Sequence, residues 1–279
     1  MFKRRFIFDT DWCEDCDDCV ALRFLIRNLD EDHLLLGINV NATTELSYAS
    51  LKAFIEREGV DCPIALDEPK FESLKSSYHE NMAKGSPYVN ADGEKSLEFY
   101  KRVLEENENV EILSVGFLNS IESVFKTYPH LIKKVKRIWI MGGKWDEQGG
   151  SEYNFNAYPV AVQASRYVVN ELDVSKCYLG WEVGHDVYTG SKLSTKDMLG
   201  RALADFGCEN GRPSWDPLLI MGALKDKYPT AFFREGGKAF VDENGKNYFE
   251  KSDCLRSSYL VKLYDNAYYE QIIDEVIKE

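Results

Sequence analysis

Apolar and polar positions run along this chain in two periods. Phe6 to Phe8 is a short apolar strand, and beyond it Val20, Ala21, Phe24, Leu25 and Leu29 recur at the spacing of an amphipathic helix. Leu34 to Asn41 reads as a second buried strand ending in polar residues. Tyr48 to Glu58 reads as a helix closed by Gly59, and Pro63 to Leu66 as a third strand. Strand, helix, strand, helix at this spacing predicts a parallel sheet with right-handed crossovers.

The stretch from Glu68 to Gly93 keeps no clear period, and a loop that long inside a compact domain is usually functional or mobile. Leu97 to Leu104 resumes a helix. Val110 to Val115 is a strand, and the turn Gly116-Phe117-Leu118-Asn119-Ser120 leads into a helix through Ile121, Val124 and Phe125. Val135 to Met141 is a further buried strand that opens into Gly142-Gly143. Pro159 to Val169 reads as helix, Cys177 to Gly184 as strand and turn, and Arg201 to Cys208 as helix. Pro213 to Pro217 opens a helix carrying Leu218, Leu219, Met221 and Leu224. The tail predicts a hairpin-like pair, Lys238 to Asp242 and Asn247 to Phe249, then a strand from Ser258 to Leu263 and a final helix. No linker divides the chain, so one domain over residues 1–279 is expected.

Composition narrows the partners. With 44% hydrophobic and 13% aromatic residues the chain can bury a sizeable core. A net charge of −13 argues against nucleic acid and anionic membranes, which are bound chiefly by clustered Lys and Arg. No apolar run is long enough to span a bilayer, and Met1 to Arg5 leads straight into the first strand, so a cytoplasmic protein is expected. Seven cysteines in such a chain read as reduced thiols. The sequence leaves a homo-oligomer open.

The chemistry concentrates after the first strand. Asp9, Asp11, Glu14, Asp15, Asp17 and Asp18 place six carboxylates within ten residues, between a buried strand and a helix. That is where open α/β sheets bind ligands. Hard oxygen donors at this density suit Ca²⁺, with Mg²⁺ second, and the helix dipole further favours acids at the helix start. Cys13, Cys16 and Cys19 form a C-x-x-C-x-x-C run. The residues between them are mostly acidic and no Cys-Pro follows, which argues against an iron–sulfur site.

The run Asp9-Thr10-Asp11, followed by Asp15-Cys16-Asp17-Asp18, resembles the acidic signature of the inosine–uridine-preferring nucleoside hydrolases. Gly116-Phe117-Leu118-Asn119-Ser120 is similar to that family's Gly-Pro-Leu-Thr-Asn turn, and Met141-Gly142-Gly143 to its Met-Gly-Gly. Glu152-Tyr153-Asn154 resembles its Glu-Phe-Asn, and Trp215-Asp216-Pro217 its His-Asp-Pro. The resemblance spans nearly the whole chain. It implies an α/β fold with an open, mostly parallel (mixed) sheet, helices on both faces, and an active site at the carboxyl ends of the strands.

It also implies an N-ribosyl hydrolase acting on a small nucleoside, with roles that transfer position by position. Asp11 matches a metal-binding aspartate and general base. Asp18 and Asp216 match carboxylate ligands of Ca²⁺, and Asn119 a ligand through its main-chain carbonyl. Asp17, Glu152 and Asn154 match residues that hold the ribose hydroxyls, and Asn41 falls where the family also places an Asn. Asp216 is expected among the substrate-binding residues as well.

The departures bear on the leaving base. Asp11-Trp12-Cys13 replaces an Asp-Pro-Gly turn, and Trp215 stands where better-known members carry the His proposed to protonate the base. Indole does not titrate usefully, so Trp215 is expected to stack instead. Trp12, Trp145 and Trp181 are further stacking candidates, each weighed against plain core packing. Of His33, His79, His130 and His185, His79 lies in the long loop, so a lid His reaching the base is the first candidate acid, weighed against plain surface.

Two other readings stay open. Asp9-Thr10-Asp11 fits the Asp-x-Asp spacing of a haloacid-dehalogenase-like phosphatase, although Cys13 departs from that pattern and the later landmarks go unexplained. A non-catalytic nucleoside- or sugar-binding relative would account for the missing His.

Overall fold

The computed structural model describes residues 4–12, 14–68, 78–89 and 91–279. Cys13, the first cysteine of the predicted run, and residues 69–77 of the long loop lie outside them. In chain order the first half comprises β1 (Arg4–Thr10), α1 (Asp17–Arg27), β2 (His33–Val40), α2 (Ser47–Arg57), β3 (Ile64–Leu66) and α3 (His79–Ala83). Then follow β4 (Glu94–Lys95), α4 (Ser96–Glu106), β5 (Val110–Ser114), α5 (Asn119–Thr127), β6 (Val135–Met141), α6 (Tyr153–Asn156) and α7 (Pro159–Arg166). The last third holds β7 (Lys176–Leu179), α8 (Trp181–Gly184), β8 (Tyr188–Thr189), α9 (Met198–Asp205), β9 (Arg212–Pro213) and α10 (Trp215–Ala223). It ends with β10 (Phe232–Val241), β11 (Asn247–Lys251), β12 (Ser257–Lys262) and α11 (Asn266–Ile277).

The main sheet has ten strands in the order β11-β10-β12-β7-β6-β5-β1-β2-β3-β4. Its pairs are parallel except where β10 runs against β11 and β12. Alternation along each strand sends side chains to two separate cores. Phe6 and Phe8, Trp139 and Met141, and Cys177 and Leu179 face one side together with α1, α2, α10 and α11. Ile7, Ile138, Ile140 and Tyr178 face the other, under α4, α5 and α7. Burial on both faces is why these strands read as unbroken apolar runs. Among the described residues no helix is long and apolar enough to cross a membrane.

Two elements differ from the sequence reading. β10 begins at Phe232, not Lys238, because Phe232 to Gly237 pairs with β12 before Gly237 to Val241 pairs with β11. Arg234, Glu235 and the two glycines hide that half from an apolar-run search. α9 begins at Met198, where Asp197 caps it by accepting from the amides of Leu199 and Gly200.

β1 lies mid-sheet. From it the chain moves outward through β2, β3 and β4, then returns to β5 on the other flank of β1 and continues to β6 and β7. The order therefore reverses between β1 and β5, and the loops after these two strands part around a crevice at their carboxyl ends.

Candidate active site

A cavity of about 390 Å³ opens in that crevice. One wall is acidic and polar, built from Asp11, Asp17, Asp216, Glu152 and Asn154. The lining also includes Trp181, Trp215, Tyr153 and Arg212, with Glu14 and Asp15 at the loop that follows β1, and Val115 and Met141 complete it.

Backbone contacts fix the acidic wall. Asp11 packs directly on Gly116, where any Cβ would come within 2.6 Å of the Asp11 amide nitrogen, so the turn after β5 must be glycine to admit it. Asp17 opens α1 and reaches across to α10, where its Oδ2 accepts from the amides of Trp215 at 3.0 Å and Asp216 at 3.1 Å. One carboxylate thus holds the start of the helix that carries the next. Trp215 in turn packs on Gly184, where a Cβ would lie 2.5 Å from its Cδ1. Glu152 caps α6, with Oε1 accepting from the Asn154 amide and Oε2 from the Gly143 amide. The Asn154 side chain donates to the carbonyls of Val115 and Met141, at the ends of two strands.

The carboxylates are buried and crowd one another. Oxygens of Asp17, Asp18 and Asp216 lie within 4.8 Å of one another. Burial, then the charges of Asp18, Asp15 and Glu14, pushes Asp11 well above the usual carboxylate range. Burial and the neighbouring aspartates do the same to Asp17, against some relief from Arg212, and to Asp216. Burial also raises Asp18 to about 7 despite the hydrogen bond from Thr10, and Glu152 to about 7 despite its amide donors.

This donor set fits a hard divalent cation. Asp18 Oδ2 is buried with no hydrogen-bond partner among the described residues, and such an orphan carboxylate oxygen needs a counter-charge. Oxygen-only donors of this kind match Ca²⁺ or Mg²⁺ and not the softer transition metals. The mutually close trio includes Asp17, which the resemblance assigns to ribose, whereas Asp11 stands beside it as an electrostatic neighbour of Asp18 and Asp216.

Other candidates lie deeper. Asn41 is fully buried at the end of β2, where its Nδ2 donates to Asp9 Oδ1 at 2.6 Å. Asn119 is also fully buried, and its Nδ2 donates to the Asn41 carbonyl and to Asp67 Oδ2, while its Oδ1 is a further orphan. Neither side chain lines the cavity. Asp9 takes hydrogen bonds from Asn39, Asn41 and Tyr100 and is fully buried. A phosphatase of the dehalogenase type would need that residue exposed as its nucleophile, so the Asp-x-Asp spacing finds no support here.

The expected lid His lies outside the cavity lining. His79 is 1% exposed, donates from Nε2 to the Trp12 carbonyl at 2.9 Å, lies by Thr44 Oγ1 and stacks near Trp12. Burial lowers its pKa to about 4. It does not line the cavity, because α3 packs this turn of the loop against α2 and α9. The tryptophans divide in two. Trp12 and Trp145 are core, whereas Trp181 and Trp215 line the cavity and are joined by a hydrogen bond from Trp215 Nε1 to the Trp181 carbonyl at 2.8 Å.

Arg212, Tyr153, Glu14 and Asp15 were not singled out as site residues. The Arg212 guanidinium grips Asp15 through Nε at 2.9 Å and through Nη2. Only its separation from Asp15 by nearly the whole chain hid that pair. Tyr153 was read as part of a motif, yet its hydroxyl donates to Glu14 across the cavity mouth.

Fold and cavity together define an α/β protein with a carboxylate-rich pocket at its switch point, lined also by aromatic side chains. The chain belongs to the inosine-uridine preferring nucleoside hydrolase family, whose model matches residues 6–251. A uridine nucleosidase of Saccharomyces cerevisiae is 28% identical over 148 residues, which cover 44% of this chain and 43% of that protein. The match therefore spans less than half of that relative. An inosine-uridine preferring nucleoside hydrolase of Bacillus anthracis has a similar fold, with TM-score 0.73, 15% identity and coverage of 98% of this chain and 99% of that one. A purine-preferring ribonucleoside hydrolase of Gardnerella vaginalis gives TM-score 0.73 and 15% identity over 98% of each chain.

Proposed function

We propose that this chain hydrolyses the N-glycosidic bond of ribonucleosides, releasing ribose and free base. The observation that carries the reading is a cavity of about 390 Å³ that gathers buried, mutually repelling carboxylates and two tryptophans into one lining. Asp11, Asp18, Asp216 and the Asn119 carbonyl would hold the cation, with Ca²⁺ ahead of Mg²⁺, and Asp17 is close enough to join them. When bound, such a cation acidifies water and fixes ribose hydroxyls by coordination.

The protein's own groups do the rest. Asp11 takes the proton of the attacking water, a role suited to a carboxylate whose proton affinity burial and the neighbouring acids raise. Asp17, Glu152 and Asn154 orient the ribose, and the carboxylates of Asp17 and Glu152 favour the oxocarbenium-like sugar of the transition state. Trp215 presents a face to the base. Glu152 lies where the 5′-hydroxyl is expected, so a 5′-phosphate would meet a buried carboxylate.

The test is turnover of inosine, uridine and a nitrophenyl riboside by calcium-loaded protein, beside Asp11→Asn. We expect hydrolysis of nucleosides ahead of their 5′-monophosphates, and a loss of roughly 10²–10⁴-fold in kcat for the variant, the usual worth of a general base. A folded, metal-binding Asp11→Asn with wild-type turnover would remove Asp11 as the base. No turnover of any riboside would leave a binding protein.

A further inference from the structure

The proposed reaction leaves negative charge on the departing base, and no histidine lines the cavity to meet it. His185 stacks on Trp181 with ring centroids 4.4 Å apart, and His79 is buried beside Trp12. Among the described residues, the one cationic side chain in the cavity lining is Arg212.

Its setting is unlike that of a surface arginine. The guanidinium lies 5.5 Å from the ring centroid of Trp215 and 5.5 Å from that of Phe206, and Asp15 holds its other edge. A guanidinium has five N–H donors. Asp15 takes two, which leaves three for a ligand. Arg212 and Trp215 line the same cavity, so a base held there lies within reach of this group.

We propose that Arg212, oriented by Asp15, receives the leaving base and makes the site selective for 6-oxopurine nucleosides. The inference rests on the nucleosidase reading. As the bond between C1′ and the ring nitrogen breaks, its electron pair passes to the base. The water oxygen bonds to C1′, and its proton goes to Asp11. Arg212 does not give up a proton, since guanidinium stays charged. Its donors stabilise the base as an anion, which then takes a proton from solvent water. A 6-oxopurine offers two neighbouring acceptors, O6 and N7, which match a guanidinium fork, whereas adenine offers one acceptor and one donor.

Calcium-loaded wild type and Arg212→Gln are compared on inosine, adenosine, 7-deazainosine and nitrophenyl riboside. For the variant we expect kcat on inosine to fall by roughly 10²–10³-fold, as for loss of one preorganised donor in other enzymes. Nitrophenyl riboside, whose leaving group needs no help, should change by less than about threefold on the same argument. Wild type should favour inosine over adenosine by about tenfold or more, the worth of a matched fork, and lose that advantage on 7-deazainosine. The wild-type comparison stands even where the variant fails to fold.

An equal loss on inosine and nitrophenyl riboside makes Arg212 a structural residue and overturns the proposal. So does a wild type that hydrolyses adenosine as fast as inosine. Inactivity of wild type on nitrophenyl riboside removes the glycosidase reading itself, a failure separate from loss of base selectivity.

Discussion

At the amino end of β1, Arg4 meets Glu111 through two hydrogen bonds, of 2.9 and 2.7 Å, and reaches Asp226 and the Ala223 carbonyl with its other nitrogen. Trp139 and Lys136 also face Glu111, and His33 bridges Asp226 and Asp30. At the carboxyl end of the same strand, Asp11 meets Asp18, Asp17 and Asp216, and the cation nearest to them, Arg212, is already paired with Asp15. Both clusters centre on buried groups at the ends of the central strand β1, and both draw in residues from neighbouring helices and loops. Burial alone would push Glu111 up, but Arg4, Trp139 and Lys136 outweigh it and hold it below the usual range. For Asp18 the hydrogen bond from Thr10 does not outweigh burial, and it rises to about 7. At one end the buried acid is matched by cations of the chain; at the other the acids are left to repel one another, and that imbalance marks the candidate site.

The largest test of this contrast removes a carboxylate from the unanswered end. Asp18→Asn should cost at least about 10³-fold in turnover, given the several kcal/mol that a cation contributes to such a transition state. The same change should raise the melting temperature of cation-free protein, since it removes a repelling charge, and lower the gain in melting temperature on adding calcium. The pH dependence follows. Carboxylates whose pKa is raised in the fold stay protonated there while the unfolded chain ionises. Cation-free protein should therefore lose stability as pH rises from about 4, the unfolded value, through the folded value near 7. Thermal melts across pH with and without calcium check this, and a cation-free protein that stabilises over that range contradicts the contrast. Metal analysis finding only stoichiometric zinc or iron would contradict the choice of ion.

How much of this was legible follows from the same physics. The central strands declared themselves because both faces are buried: Val135 to Met141 is read and found with identical bounds. Asp11, Asp17, Glu152, Asn154, Trp215 and Asp216 were singled out by short ordered motifs, and they do share one cavity. Arg212 was invisible because its meaning lies in contacts with Asp15 and Trp215 that no local pattern encodes. His79 misled for the opposite reason. Its polar loop context suggested exposure, but the stacking with Trp12 that buries it is tertiary.

The next largest effect lies at the answered end. Glu111→Gln keeps the shape but takes from Arg4 its buried charge partner and leaves it only the half-exposed Asp226. About 3–5 kcal/mol of stability should be lost at pH 7, the usual cost of breaking a buried pair. Because the folded pKa of Glu111 is depressed, its contribution is present above the unfolded value near 4.5 and fades as pH falls below it. Denaturant melts of variant and wild type should therefore converge toward acid. Turnover well below the melting temperature should be unchanged, because the pair lies at the far end of β1 from the cavity. A large fall in kcat with intact fold would mean the two ends are coupled.

The smallest effect separates pairing from position. Asp226 serves the same Arg4 but is 45% exposed at its side chain, so water competes for both partners. Asp226→Asn leaves Arg4 with Glu111 and the Ala223 carbonyl, and His33 with Asp30. The loss should be below about 1 kcal/mol and should shrink with added salt, as for pairs at a surface. Its contrast with Glu111→Gln is the informative quantity. If position decides, the two variants differ several-fold although each removes one carboxylate from the same guanidinium. If equal losses are measured in denaturant melts at low and high salt, the strength of the amino-end cluster comes from the network as a whole, and Glu111 holds no special place at its centre.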